Sequence, residues 1–311
     1  MKLSRIEFVI TNTCSGRCKH CSCGERPDDD GINVDLAVDA VKKLSKRFSI
    51  ESVMTFGGEP LLFADTVAKI HAAARDCGIL NRQIITNGFF ATDGGETDKV
   101  AKLLCDSGIN DILLSIDAFH QEFIPLDPVV QFAEALLSYG VPSLQVHPAW
   151  VVNEAADNHY NAETKRLLKI FADKGINATE GNNIFPSGNA LKYLAEFFPP
   201  PGKVDLSAPC GSAPYTSRLD EVDCISINPD GGVYVCSEIG NIYNDDILYI
   251  IDGYDPCKIP ILRAVLDGGV AELSRYAESK GIAVDVGDCR SVCGACRKIR
   301  AAITESYREE G

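Results

Sequence analysis

The sequence predicts an α/β fold: a partial (β/α)6 TIM-like barrel over residues 1–198, followed by a smaller, cysteine-rich domain over residues 203–311. Three observations predict it. Short apolar runs alternate strictly with helix-period segments six times, the pattern of a parallel sheet with helices outside. The runs are apolar nearly throughout, as expected of strands buried on both faces. The ends of successive runs carry thiols, glycines and polar side chains, at the rim where barrels of this kind gather their chemistry.

The elements follow in order. Ile6–Thr11 is a first strand and enters a loop rich in Ser, Gly, Asn and Asp. Asn33 to Phe48 repeats Val34, Val38, Val41, Leu44 and Phe48 at helical spacing, with Asp35 and Asp39 near its N-terminus. Ser52–Phe56 is a strand ending in Gly57-Gly58, and Ala64–Cys77 a helix stopped by Gly78. Gln83–Thr86 and Asp111–Asp117 are further strands, with a helix over Glu96–Cys105 between them. Pro128–Tyr139 is a helix, Ser143–Val151 a fifth strand, Asp157–Lys174 a helix and Asn177–Phe185 a sixth, more polar strand. Phe197-Phe-Pro-Pro-Pro-Gly202 cannot continue a helix and marks the linker. Beyond it, Asp223 to Cys236 reads as a β-hairpin turning at Pro229-Asp-Gly-Gly232, and a basic helix runs from Cys293 to Arg308.

Composition narrows the function. Hydrophobic residues make up 45% of 311, enough for a sizeable core without staples. Thirteen cysteines in a chain of this length, with no signal-peptide pattern at Met1-Lys-Leu-Ser, point to metal-binding thiols in a reducing cytoplasm. A net charge of −14 argues against nucleic acid or an anionic membrane as a partner, and no run is long enough to span a bilayer.

The chemistry concentrates in Cys14-Ser-Gly-Arg-Cys18-Lys-His-Cys21. Thiolates select zinc, copper(I) or iron–sulfur centres. A structural zinc site wants four ligands, whereas three thiolates on a 4Fe–4S cube leave one iron open to a substrate or cofactor. A zinc knuckle, with Cys23 joining, or buried free thiols are the alternatives. The other strand ends carry Gly57-Gly58-Glu59-Pro60, then Asn87, then Ser115 and Asp117, then His147, then Pro186-Ser187-Gly188-Asn189. His120 lies on a loop of the same rim. In the tail, Cys236 of the hairpin and the close pair Cys293/Cys296 form a second metal frame, with a zinc ribbon or buried thiols as alternatives.

The three-then-two cysteine spacing followed by Gly-Gly-Glu-Pro resembles the radical S-adenosylmethionine (SAM) superfamily, with His20 where an aromatic usually precedes the third cysteine. The resemblance implies that Cys14, Cys18 and Cys21 hold a 4Fe–4S cluster whose open iron chelates the amino and carboxylate groups of SAM. Reductive cleavage then yields a 5′-deoxyadenosyl radical that abstracts hydrogen from an unactivated C–H bond. It further implies an external electron donor such as flavodoxin or ferredoxin. The Gly57–Gly58 edge would meet the amino group of SAM, with Glu59 and Pro60 supporting the turn. Ser115 and Asp117, oriented by Asn87, would meet the ribose, and His147 adenine or substrate. Asn189 replaces the arginine usual in the sixth-strand motif.

The tail resembles the auxiliary-cluster domains called SPASM and Twitch, through Gly231, Cys236 and Gly240-Asn241, without a full SPASM cysteine run. One auxiliary 4Fe–4S cluster is expected, on Cys236, Cys293, Cys296 and Cys210, with Cys224 or Cys289 as substitutes, over the open mouth of the barrel. Cys257, Cys77 and Cys105 are expected to be plain residues. As a whole the chain resembles radical-SAM enzymes that modify ribosomally made peptides, peptide epimerases among them. In those epimerases the hydrogen-atom donor is the cysteine directly after the hairpin ligand. Here that place is Ser237, which leaves Cys224 as candidate donor, or else cross-linking or oxidation as the outcome. Oxidation of a small molecule, sulfatase-type maturation and a non-catalytic electron-transfer or sensor protein are the other readings.

Overall fold

In the computed structural model the described residues are 1–24, 27, 29–91, 93–202, 204–212 and 216–309, with side chains described to 306. The expected start of a second domain at 203, the chain end at 310–311 and the side chain of Arg308 lie outside them. The chain begins with β1 (Arg5–Val9), α1 (Val34–Arg47), β2 (Ser52–Phe56), α2 (Ala64–Asp76), β3 (Asn81–Thr86), α3 (Gly94–Ser107) and β4 (Asp111–Leu114). Then come α4 (Ala118–Gln121), α5 (Leu126–Ser138), β5 (Leu144–Val146), β6 (Ala149–Trp150), α6 (His159–Ala172), β7 (Asn182–Asn183) and α7 (Asn189–Tyr193). The rest comprises β8 (Cys224–Ile227), β9 (Gly232–Tyr234), β10 (Glu238–Asn241), α8 (Ile247–Gly253), α9 (Pro260–Ser279) and α10 (Val292–Glu309).

Strands β1 to β5 pair in parallel in chain order. Their buried residues, among them Ile6, Phe8, Val53, Ile84, Ile112, Leu114 and Val146, meet the apolar stripes of α1, α2, α3 and α5 in one core. Local chemistry sets the helix starts: the Asn33 side chain accepts from the N–H groups of Asp35 and Leu36, satisfying two of the first turn's unpaired donors.

Two expected strands differ from the fold. The run Ser143–Val151 breaks into β5 and β6 at His147-Pro148, because proline has no N–H to give the ladder. The sixth strand contracts to an isolated bridge at Ala178 and the two-residue β7, which pairs with β6 in a separate small sheet. Its residues are polar and partly exposed, so no apolar face drives a longer pairing.

The hairpin joins the first sheet. β8 pairs in parallel with β1, Arg5 opposite Cys224 and Phe8 opposite Ile227, and β9 and β10 extend the sheet outward. Val222, Ile225, Ile227, Val233, Ile247 and Ile251 enter the barrel's core, whereas α9 and α10 bury Leu262, Val265, Leu273, Ala295, Ile299 and Ile303 in a second one. Helix α9 kinks at Gly268 and Gly269.

Candidate active site

At the C-terminal ends of the parallel strands lies a cavity of about 730 Å³. Cys14, Cys18, His20, Cys21, Gly57 and Gly58 line it on the side of β1 and β2. Asn87, Ser115, Asp117, His120 and His147 line it on the side of β3 to β5. One site therefore collects residues spread over more than 130 positions of the chain.

The loop carrying the three thiols is clamped by backbone. Gly58 N–H donates to Thr11 O at 2.7 Å and Glu59 N–H to Thr13 O at 2.8 Å, which carries the pairing of β1 and β2 into the loop. A Cβ on Gly58 would lie 2.1 Å from Thr13 O, so only glycine lets the two strands of backbone come this close. On the other side, Asn189 N–H donates to Cys21 O at 2.9 Å and Asn189 Nδ2 to Cys18 O at 3.2 Å. Gly188, at φ +53°, passes so near that a Cβ would sit 2.5 Å from the carbonyl oxygens of Cys21 and Ser22. Asp29 accepts from Thr11 Oγ1, Asn12 N–H and Gly31 N–H and fixes the loop's origin.

Glu59 and Pro60 do not line the cavity; both are buried beneath it. The Glu59 carboxylate accepts from Leu61 N–H at 2.9 Å, Thr86 Oγ1 at 2.6 Å and Asn87 N–H at 2.8 Å, tying the ends of β2 and β3 together. Burial pushes its pKa up to about 7, against the pull of those three donors. Asn87 in turn places its Nδ2 3.1 Å from Ser15 Oγ and 3.8 Å from Cys14 Sγ.

Asp117 is buried and caps α4, accepting from the N–H groups of Phe119 and His120, both at 3.0 Å. It also accepts from Ala149 N–H at 3.1 Å and meets His120 Nδ1 at 2.9 Å. Burial disfavours its charge, but the imidazoles of His120 and His20 outweigh burial and hold the carboxyl below its usual range. Burial likewise disfavours a charged His120, and the facing Asp117 carboxylate outweighs that and holds the imidazole above its usual value. His20, in the place of the expected aromatic, stands edge-on to His120, and burial lowers its pKa to about 4. His147 has both ring nitrogens engaged, by Thr179 Oγ1 at 2.7 Å and Asn182 Nδ2 at 2.8 Å.

Cys224 does not join this site. It stands opposite Arg5, at the start of β1, whereas Asn228 at the other end of β8 lines the cavity. Four residue-to-residue steps along the strand separate them, ~13 Å at ~3.3 Å per residue. Burial and the neighbouring Glu7 push the Cys224 thiol up to about 12.

The tail cysteines sort by their surroundings. After burial, the charges of Cys236 and Cys210 act on Cys293, and those of Cys236, Cys293 and Cys210 act on Cys296. These four share one neighbourhood, beside Arg300, whose Nη2 lies 3.6 Å from Cys236 Sγ. Cys289 faces Asp288 and Lys298 instead. Cys236 follows β9 at the Arg5 end of the strands, so this thiol set does not close the cavity mouth; the hairpin reaches the cavity through the Asn228 turn. Sequence reasoning missed Asn12, Asn182, Asn183 and Asn228 on the cavity wall, and Asp29 behind it. Only the asparagine-rich composition of those loops carried a signal.

The profile of the radical SAM superfamily matches residues 8–188, more than half of the chain. The chain belongs to the radical SAM superfamily. A GTP 3′,8-cyclase of Limosilactobacillus fermentum is 30% identical over 121 residues, 38% of this chain and 34% of the relative. A probable GTP 3′,8-cyclase of Methanocaldococcus jannaschii is 27% identical over 122 residues, 39% of either chain. The chain thus matches little more than a third of the length of these curated relatives. Among solved structures, anSMEcpe with bound AdoMet superposes with a TM-score of 0.52 at 14% identity, over 99% of this chain and 98% of that one. Streptococcus suis SuiB bound to its precursor peptide SuiA gives 0.53 at 14%, over 94% and 76%. At such identities the likeness is one of fold, and it is the expected α/β fold.

The family's radical SAM chemistry rests on a 4Fe–4S cluster and SAM, and the residues here fit both. Three thiols, none in a disulfide, line one cavity, and glycine backbone bare of side chains forms the wall beside them. The four thiols of the tail likewise fit an auxiliary cluster. Among the described residues no helix is long and apolar enough to cross a membrane.

Proposed function

We propose that this radical SAM enzyme acts on a peptide. When bound, the cluster on Cys14, Cys18 and Cys21 and its SAM supply a 5′-deoxyadenosyl radical for hydrogen abstraction. The chain's own residues hold and enclose. The Gly57–Gly58 edge offers backbone to the SAM amino group, Ser115 and Asp117 face the ribose, Asn87 reaches Ser15 and Cys14 beside them, and His147 closes the wall near the adenine. The set Cys210, Cys236, Cys293 and Cys296 would hold the auxiliary cluster, which would supply an electron acceptor for an oxidative outcome, and the first cluster would draw its electron from an external protein donor. The barrel of residues 1–198 and the tail from 203 divide these two tasks.

The wall of the cavity carries the peptide reading. Asn12, Asn87, Asn182, Asn183, Asn189 and Asn228 all line it; Asp29, Ser15, His147 and Cys18 engage the Nδ2 groups of Asn12, Asn87, Asn182 and Asn189, while the amides of Asn183 and Asn228 offer a donor and an acceptor each, the requirement for matching a peptide backbone. The peptides bound to anSMEcpe and SuiB support the same reading. The GTP 3′,8-cyclase relatives raise a nucleotide as the rival substrate. Against it, among the described lining residues Arg17 is the one guanidinium or ammonium. Its Nη1 is engaged by Cys14 O and Gly16 O at 2.8 and 2.9 Å. A triphosphate asks for more positive charge than that.

The test is anaerobic turnover of reconstituted enzyme with SAM and reductant, in the presence of a pool of synthetic peptides or of GTP. Peptide-dependent deoxyadenosine release with a mass change in a peptide is the expected result. Release stimulated by GTP alone overturns the assignment.

A further inference from the structure

We propose that the outer edge of β7 is the docking strand for the peptide, which adds to the β6–β7 sheet in extended form and so enters the cavity. The proposal rests on the peptide reading above. In the small sheet the backbone of β7 alternates: Asn182 N–H donates to Pro148 O and Ile184 N–H to Trp150 O, both at 2.9 Å. By that alternation the N–H and C=O of Asn183 point away from β6. Among the described residues neither has a backbone partner. An uncovered edge of this kind is a template for another strand.

The position of the edge gives it a use. Asn182, Asn183, Ile184 and Phe185 all line the cavity that the three thiols also line, and the chain just beyond them is clamped to the thiol loop through Asn189. A strand laid on Asn183 is therefore continuous with the reaction site. Phe185 is 49% exposed while lining that cavity, an apolar ring without cover that an incoming side chain would bury. Edge addition would let the site hold a peptide with little dependence on its charge: main-chain hydrogen bonds supply affinity and alternate side chains supply selectivity. The brevity of β7 restricts the match to a short stretch, which fixes one residue of the peptide relative to the thiols.

The test uses reconstituted, SAM-loaded full-length enzyme and a displayed library of random peptides. Recovered peptides are resynthesised with single N-methyl groups along the backbone. Strand addition predicts that N-methylation weakens binding at alternate residues of one short stretch, by roughly tenfold. Asn183→Pro, which removes the outward N–H, should weaken the same peptides by a similar factor, and Asn183→Ala, which keeps it and loses only the side-chain amide, should weaken them far less. Melting curves and SAM binding of both variants separate a docking defect from misfolding, and the N-methyl series needs no variant at all. Peptides that are bound and modified but show no alternation, or bind Asn183→Pro as they bind wild type, overturn the edge proposal and leave the peptide function standing. Recovery of no binding peptide, with none stimulating SAM cleavage, overturns both.

Discussion

Glu59 sets burial against hydrogen bonding, and its pH response decides between them. The carboxyl is fully buried, with a pKa raised from 4.5 to about 7, although three donors point at its oxygens. A folded-state pKa above the unfolded one means that the folded protein binds more protons between the two values. Stability therefore falls as pH rises from about 4.5 through about 7. At ~1.4 kcal/mol per pH unit, the fall attributable to Glu59 between about pH 5.5 and 7 is roughly 2 kcal/mol. The lower limit is set by solubility near the sequence pI of 4.8.

Glu59→Gln keeps the shape and removes the titration. Its best orientation turns the amide nitrogen toward Asn87 N–H and leaves that donor unpaired, at a cost of about 1–3 kcal/mol. The expected result is a stability gap between wild type and variant that is widest near pH 5.5 and narrows by roughly 2 kcal/mol by pH 7. Urea unfolding of the two apo-proteins at matched pH reads it directly. A gap that stays constant or widens over this range means that the donors keep Glu59 ionised, and refutes the reasoning.

Three further outcomes follow from the geometry. Gly58→Ala places a methyl 2.1 Å from Thr13 O and should abolish iron binding by the first thiol set, whereas Gly94→Ala, with nothing within 4 Å, should leave iron content unchanged; iron assays of the two variants check this. Cys210→Ser should remove the auxiliary cluster, as seen by iron content and Mössbauer spectra, and Cys289→Ser and Cys224→Ser should not, because those thiols face Asp288 and Glu7 in place of other cysteines. Asp117→Asn deletes the charge that holds His120 above its usual pKa, so the imidazole should titrate at lower pH in histidine NMR spectra of the apo-protein.

The sequence carried the parallel part of the fold because both signals involved are local. Apolar runs such as Ser52–Phe56 and the three-and-four spacing of α1 are written within a few residues. The cavity residues at strand ends were legible for the same reason: once the strands are placed, the rim follows. What was not legible is pairing across distance. Nothing in Asp223–Cys236 announces that it will lie beside β1, and that one pairing sends Cys224 and Cys236 to the end of the strands away from the cavity. The clamp of Asn189 on Cys18 and Cys21 is equally long-range, and in the sequence it showed only as a missing arginine. The break at His147-Pro148 was readable from proline chemistry, but the apolar run around it masked the signal.

The central claim is two thiol sites with separate metal clusters, only one of them at the cavity. The measurement that tests it most directly is iron, sulfide and Mössbauer analysis of anaerobically reconstituted protein beside the Cys14/Cys18/Cys21→Ala triple variant, with deoxyadenosine formation from SAM followed in both. The account predicts two cubane clusters falling to one, with SAM cleavage abolished. One cluster falling to none, or SAM cleavage surviving in the triple variant, contradicts it.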